Sequence, residues 1–538
     1  MERLLSHFFT PETAQRAGCI GAAPLFPRMD PLVTGLAYDS RTVSRGNLYF
    51  ALPGLHIDGH RFIPDAVQRG AQVIIHQHEL PEYQHGIRYI QVEDSRFAMS
   101  PVADAFYEFP SRQLCVIGVT GTEGKSTTVY LIYQLLRFLG KKAGFISTVQ
   151  YSDGTGEQWN PEHQTTPEAP RVQKVLRDIR DHGGEYAILE ASSHGLSSRT
   201  NRLGDVAFDV GVMTNVTQEH LEFHGTWEQY RQDKVRLFQA LDRFDHHKAM
   251  PQGIPLGKPF HRVPSFGVVN ADDPSAVYFA GSTKHTTYTC STRGIEADIT
   301  LKKISSNPRG NWYEVCIGKT GAILDIRDQL PGAFNAGNVL ISLLTLSELL
   351  SIPVQELVPL VPSLKPVRGR MTTIQRGQPF EVVVDYAHTP SSFQAIFPPL
   401  RERLDARGGR IISLFGSAGE RDTAKRAQQG RIAAAWSDLL VLTDEDPRGE
   451  DPMAILEAIA QGISGAKEGE DLFLIPDRPQ AVRKACSLAR PKDLVLLLGK
   501  GHENSIIYAH ETKAYDEIGE AETALAELGF SPPSLRSL

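Results

Sequence analysis

The stretch VIGVTGTEGKSTTVYLIYQLL, Val116 to Leu136, constrains the fold more than any other part of the chain. An apolar run leads into a glycine turn, and Gly-Lys-Ser opens a segment with helical spacing. Gly121 and Gly124 permit backbone shapes in which N–H groups turn inward at an anion. The helix behind them adds the positive end of its dipole. The pattern predicts a phosphate-binding loop, with Lys125 neutralising the β- and γ-phosphates and Ser126 ligating Mg²⁺. The match to G-x-x-x-x-G-K-[ST] is imperfect. Val119 holds the first glycine position, and Gly118 lies one residue earlier. A strand-turn-helix with chance glycines is the bland alternative, but strand, loop, Lys-Ser and helix all coincide. The helix is expected from about Lys125 to Leu139, with Gly140 as its stop.

A chain of 538 residues is too long for one core. Three α/β blocks are expected. Residues 1–110 hold the short strand-like runs GLAYDSR, GNLYFAL, AQVIIH and IRYIQV, with a helix-like RFIPDAVQRG between them. Residues 111–364 alternate apolar strands (LCVIGVT, KAGFIS, YAILEA, AFDVGVMTN, SFGVVN) with helices, which predicts a parallel sheet covered on both faces. The polar segment from about 283 to 330 reads as antiparallel strands. In residues 365–538, four strands end in polar motifs: EVVVDYAHTP, RIISLFGSAGERD, DLLVLTDEDPR and DLVLLLGKGHE. Open α/β sheets bind ligands at the carboxyl ends of their strands, so these four tips are expected to form one site.

Composition excludes several classes. A net charge of −7 disfavours a dedicated nucleic-acid binder. Five scattered cysteines without a CxxC pair argue for a reducing compartment and against a zinc site or disulfide framework. No signal peptide and no membrane span are expected.

Further motifs carry chemistry. Glu190 lies at the end of YAILE, where a carboxylate can hold a metal beside a nucleotide, or merely cap a helix or pair with a cation. MTNVTQEHLEFHG puts Asn215, His220 and His224 just after a strand, although surface histidines are the plainer reading. In WEQYRQDKVRLF, Tyr230, Lys234 and Phe238 share one helical face. Lys234 is then either a snorkelling lysine or one desolvated beside metals.

Eight motifs occur in order: GVTGTEGKST, EASSHGL, TNVTQEHLEFHG, QDKVRLF, FNAGN, GRM, DYAHTP and GKGHE. With the N-terminal YDSRTVSRGNLYFALPGLHIDGHRFI, they resemble the Mur ligases over nearly the whole chain. Within that family the resemblance is strongest to the enzymes that add the third, diamino acid residue to UDP-N-acetylmuramoyl-L-Ala-D-Glu. It implies a uridine-binding N-terminal domain, a central P-loop ATPase-like domain and a Rossmann-like C-terminal domain. It implies a cytoplasmic, monomeric enzyme of peptidoglycan precursor synthesis. The substrates would be ATP, the nucleotide-dipeptide and a diamino acid, namely diaminopimelate, lysine or ornithine. Mg²⁺ is implied at two sites.

The same resemblance assigns residues. Gly121, Thr122, Gly124, Lys125, Ser126, Thr127, Asn335, Asn338, Arg370, Asp385 and His388 match ATP-site positions. Ser126, Glu190, His220 and Lys234 match metal ligands, Lys234 as a CO₂-derived carbamate. Lys125, Lys234 and His220 are thereby the implied catalytic residues. Ser40, Arg41, Thr165, Thr166 and Ser192 match contacts to the UDP-muramoyl-peptide, with either Arg202 or Arg199 as the accompanying arginine. Arg421, Glu445, Asp446, Arg448, Gly499 and Glu503 match the amino-acid site. Arg421 and Arg448 favour a distal carboxylate, as in diaminopimelate. Asp446, where diaminopimelate-adding relatives carry Asn, pulls towards the bare ammonium of lysine or ornithine. Glu123 replaces the family's usual Asn, an unfavourable charge near phosphates unless it points away or meets a cation. Two other readings are a folylpolyglutamate synthase-like ligase, which should lack the N-terminal uridine-site sequence, and a non-catalytic ATP-binding switch.

Overall fold

The computed structural model describes residues 1–21, 30–54, 58–160, 164–217, 221–249, 260–307 and 310–531. The chain divides into two compact units, Met1–Lys365 and Pro366–Leu538.

The first unit holds two large sheets. Gly35–Ala37, Asn47–Phe50, Val73–His76 and Arg88–Gln91 form a four-stranded parallel sheet in chain order. Apolar side chains cover both faces. Leu48, Phe50, Val73 and Ile75 pack towards the helix Ser95–Phe106, and Tyr49 and Ile74 pack towards Ile63 and Ala66. Ser40 and Arg41 lie in the short turn after the first strand.

The second sheet has eleven strands. Its parallel centre runs Ala143–Ile146, Tyr186–Glu190, Cys115–Thr120, Val210–Met213, Phe266–Asn270, Thr287–Ser291 and Ile299–Asn307. Antiparallel strands extend both edges. The expectation for residues 283–330 holds for the strands from Ile299 onwards. Thr287–Ser291 instead runs parallel with both its neighbours. Its polar composition reflects half-buried threonines rather than an edge hairpin.

The strand of the opening motif lies between Tyr186–Glu190 and Val210–Met213, so the three carboxyl ends share one edge of the sheet. The motif helix runs Lys125–Phe138, as the pattern predicts. A second helix, Trp227–Leu241, crosses these strands on a row of glycines. Gly211 pairs with Gly118 on one side and Gly267 on the other. A Cβ at Gly118 would fall 2.4 Å from Leu237, and one at Gly267 would fall 2.5 Å from the Phe238 ring. The missing side chains let the helix sit close to the sheet.

The second unit has a six-stranded sheet in the order Thr372–Ile374, Glu381–Asp385, Leu494–Leu498, Ile411–Phe415, Leu439–Leu442, Leu472–Leu474. All its neighbours are parallel except the first pair. The four strands expected to end in polar motifs are consecutive neighbours, so their tips share one edge. Among the described residues no single helix is long and apolar enough to cross a membrane.

The glycine row makes a direct prediction. Gly267→Ala places its methyl group against Phe238 and Thr287 and should destabilise the first unit by about 1–3 kcal/mol, the usual cost of overpacking. Chemical denaturation of the two proteins side by side measures it.

Candidate functional site

The first unit builds a site at the shared edge of its three central strands. Gly121 has φ +153° and Gly124 has φ +83°, so the loop takes backbone shapes that disfavour other residues. Space demands glycine as well. A Cβ at Gly121 would meet Thr214 Oγ1 at 1.9 Å, and one at Gly124 would meet Asn338 Oδ1 at 2.5 Å. The Lys125 ammonium donates to the Thr122 carbonyl at 2.7 Å, folding back over its own loop. Ser126, buried in the first helical turn, donates to Glu190 Oε2 at 2.9 Å. The same oxygen accepts the Thr148 N–H at 2.8 Å. Thr127 is half-buried in that turn. Helix Asn335–Leu350 brings Asn335 and Asn338 to the loop. Asn338 donates to Asn335 at 3.0 Å and accepts from Thr128 at 3.3 Å.

Helix Trp227–Leu241 reaches the loop from its other side. Lys234 is 1% exposed, its Nζ donates to the Gly121 carbonyl at 2.5 Å, and it lies 4.4 Å from the Tyr230 ring centroid. The Tyr230 hydroxyl shares a 2.9 Å hydrogen bond with Thr122. The expected aromatic face therefore exists, and it carries Lys234 to the phosphate loop. His220 lies outside the described residues. His224 is buried, with Nδ1 at 2.8 Å from Asp233 and Nε2 at 3.0 Å from Ser193.

A third group adjoins Glu190. Thr166 Oγ1 donates to the Glu190 carbonyl at 2.8 Å and accepts from Ser192 Oγ at 2.9 Å. Thr165 is half-buried beside it. Arg202 donates to the Thr166 carbonyl at 2.8 Å, whereas Arg199 donates to the Phe223 carbonyl and lies over the Phe223 ring. Of the two candidate arginines, Arg202 is the one hydrogen-bonded within the Thr166–Ser192 group. Ser40 is buried, while Arg41 is largely exposed and paired with Asp39.

In the second unit, Asp385 ends its strand with both oxygens holding backbone, Met371 N–H at 2.7 Å and Ala387 N–H at 2.8 Å. Burial raises its pKa, against the opposing pull of Arg370 and those N–H groups. Arg370 lies over the Tyr386 ring at 4.8 Å, and His388 Nδ1 is 2.9 Å from the Tyr386 carbonyl. At the neighbouring tips Lys500, 1% exposed at its side chain, donates to Asp446 at 2.9 Å and to Glu503 at 2.5 Å. Burial pulls the Lys500 pKa down, but the Glu503 and Asp446 charges outweigh it and the net shift is upward. Asp446 also accepts the Ile507 N–H at 2.9 Å. The charge of Asp446 is thus met by Lys500 and not by Arg448.

Two carboxylate oxygens at this edge, Asp444 Oδ1 and Glu445 Oε2, are buried and accept no hydrogen bond. Burial pushes the Asp444 pKa up to about 6. Gly499, with φ +104°, passes so close to Glu445 that a Cβ would lie 3.2 Å from its Oε2. Arg448 is half-buried with a positive φ of 55°, and Arg421 is exposed. Lys500 and Asp444 were missed by sequence reasoning, although both lie within quoted motifs. A lysine between two glycines gives no sign that it will be buried between two acids.

Comparison with known proteins agrees along the chain. The Mur ligase family catalytic domain matches residues 32–107, the Mur ligase middle domain 119–250, and the Mur ligase glutamate ligase domain 369–501. A UDP-N-acetylmuramyl-tripeptide synthetase of Treponema denticola is 48% identical over 528 residues, covering 95% of this chain and 97% of its own. The Treponema pallidum protein of the same name is 51% identical over 508 residues, covering 90% and 92%. A solved structure of a UDP-N-acetylmuramoyl-L-alanyl-D-glutamate–2,6-diaminopimelate ligase is 26% identical, with a TM-score of 0.59, covering 99% of this chain and all of that one.

Lys500→Met should leave Asp446 and Glu503 without their buried cation. A loss of about 3–5 kcal/mol in the stability of the second unit is expected, measured by urea unfolding. Asp446→Asn in the Lys500→Met background should cost less than in the wild type, because the two share one interaction.

Proposed function

The chain belongs to the Mur ligase family, and on that premise we propose that it adds a diamino acid to UDP-N-acetylmuramoyl-L-Ala-D-Glu. ATP would be spent to ADP and phosphate, as one step of peptidoglycan precursor synthesis. The observation that carries this reading is the meeting of Lys125, Ser126, Glu190 and Lys234 around one glycine loop, at the ends of three adjacent strands. The match of residues 32–107 to the family speaks against the folylpolyglutamate synthase-like alternative. The polar strand tips of the second unit speak against a mere switch.

The chemistry follows from the residues. The loop N–H groups, the helix N-terminus and Lys125 cradle the ATP phosphates. The D-glutamate γ-carboxylate attacks the γ-phosphorus, ADP leaves, and an acyl phosphate forms. The amine of the incoming diamino acid attacks the acyl carbon. The tetrahedral intermediate then expels phosphate, the nitrogen loses its proton, and an amide remains. Positioning and charge neutralisation are the protein's contribution. The Ser126 hydroxyl and Glu190 carboxylate are oxygen donors held 2.9 Å apart, a set that suits Mg²⁺. Mg²⁺ bound there would offset phosphate charge. His220 and a carbamate on Lys234 join this set by family resemblance. Thr166, Ser192 and Arg202 hold the nucleotide-peptide, and the tips carrying Glu445, Arg448, Gly499 and Glu503 hold the amino acid. By family resemblance Arg370, Asp385 and His388 would serve the nucleotide, and the chain would act as a cytoplasmic monomer.

Lys125→Ala should lose ATP-dependent amide formation by a hundredfold or more, about 3 kcal/mol of transition-state stabilisation, without unfolding. Wild-type turnover by this variant would remove the basis of the reading. Lys234→Ala should also lose most activity, and a short carboxylate at high concentration should restore part of it. Intact mass or density of active enzyme with an unmodified Lys234 would exclude the carbamate.

The distal group of the amino acid rests on two opposed observations. Asp446 is satisfied by Lys500, which leaves Arg448 its charge for a distal carboxylate. The bare oxygens of Asp444 and Glu445 suit an ammonium. Phosphate release with diaminopimelate, lysine and ornithine at equal concentration reads the choice. If diaminopimelate is preferred, Arg448→Ala should weaken its use by about 2–5 kcal/mol. A lysine or ornithine preference untouched by Arg448→Ala would reject the distal-carboxylate reading.

A further inference from the structure

Glu168 begins the helix Ala169–Asp181 as its N-cap, yet its side chain makes no capping bond. A carboxylate at a helix N-terminus ordinarily serves the free N–H groups there. This one is buried, 5% exposed, and turned elsewhere. Its Oε1 accepts from two guanidiniums, Arg96 Nη1 at 3.0 Å and Arg202 Nη2 at 3.0 Å. Its Oε2 is buried and accepts no hydrogen bond. Arg202 uses its other terminal nitrogen on the Thr166 carbonyl, so both ends of the guanidinium are fixed by residues 166–168. Arg96 arrives on the helix Ser95–Phe106, whose apolar face packs with Ala169 in one core.

These bonds form a continuous line within the first unit. Arg96 and Arg202 meet on Glu168, Arg202 holds Thr166, Thr166 holds Ser192 and the Glu190 carbonyl, and Glu190 holds Ser126 of the phosphate loop. Two guanidiniums share one carboxylate, which leaves one positive charge over beside Thr166 and Ser192. Arg202 and Arg96 keep 13% and 28% of their side chains exposed, so that charge stays within reach of a ligand.

We propose that Glu168 is a positioning residue: it aims Arg202, with Arg96 as the second cation, at a carboxylate of the nucleotide-dipeptide. The proposal rests on the functional reading above and adds two residues to it. The dipeptide ends in a D-glutamate with two carboxylates. One must be held so that the other is phosphorylated, and a guanidinium fixed at both ends fits a planar carboxylate.

The test measures KM and kcat for the nucleotide-dipeptide and for ATP, together with direct calorimetric binding of the nucleotide-dipeptide, in wild type, Glu168→Gln, Arg96→Gln and the double variant. Glu168→Gln keeps the shape and removes the charge. It should raise the nucleotide-dipeptide KM and Kd roughly tenfold, the weight of a charged hydrogen bond, while the ATP KM stays within about twofold. Arg96→Gln should shift the same constants less, and the double variant should fall short of the product of the two. Glu168→Asp should recover part of the affinity. An unchanged nucleotide-dipeptide Kd in Glu168→Gln overturns the proposal, as does an equal rise in the ATP KM, which a general loss of packing would give. A wild type that binds the nucleotide-dipeptide but forms no amide refutes the functional reading, while the binding arm still decides on Glu168. A wild type that binds none refutes both.

Discussion

Close approach of one helix to the central sheet is the constraint on which the rest of the first unit depends. Gly118, Gly211 and Gly267 lie in register on three neighbouring strands, and Leu237 and Phe238 fill the space their side chains would occupy. One and two turns earlier on the same helix, Lys234 and Tyr230 then meet the glycine loop. A helix standing further out could not bring a buried lysine to the Gly121 carbonyl. The glycines of the strands therefore position Lys234 against the loop.

The charged groups in both units follow one rule: a buried charge is kept only where partners meet it. Lys500 stands between Asp446 and Glu503. Glu168 stands between Arg96 and Arg202. Glu190 spends one oxygen on Ser126 and Thr148. Single carboxylate oxygens are left over: Asp444 Oδ1, Glu445 Oε2 and Glu168 Oε2 are buried without a hydrogen bond, and so are Asp104 Oδ1 and Asp328 Oδ2.

Much of this was legible in the chain because local patterns carry it. The loop, its helix and the strands before Glu190 and Asp385 follow from apolar runs, glycines and helix periodicity, which depend on neighbours a few residues away. What the chain did not disclose depends on distant partners. Thr287–Ser291 looks like an edge strand by composition but pairs parallel on both sides. Arg202 and Arg199 are equivalent by counting, and only the fold puts one against Thr166 and the other against Phe223. Asp446 could be weighed against Arg448 in sequence, yet its partner is Lys500, 54 residues away.

The departure at Glu123 falls in a loop whose backbone is held by distant partners of the same kind. An Asn-to-Glu change in a phosphate loop would repel the ligand if the side chain turned inward. Here the backbone of Glu123 is clasped on both sides. Its N–H donates to Asn215 Oδ1 at 2.9 Å, and its carbonyl accepts from Asn215 Nδ2 at 3.0 Å and from Thr214 Oγ1 at 2.6 Å. Those bonds hold the main chain whatever side chain it carries, and the residue itself is exposed. Asn215 and Thr214, from the neighbouring strand's end, thus shape the loop through the Glu123 main chain.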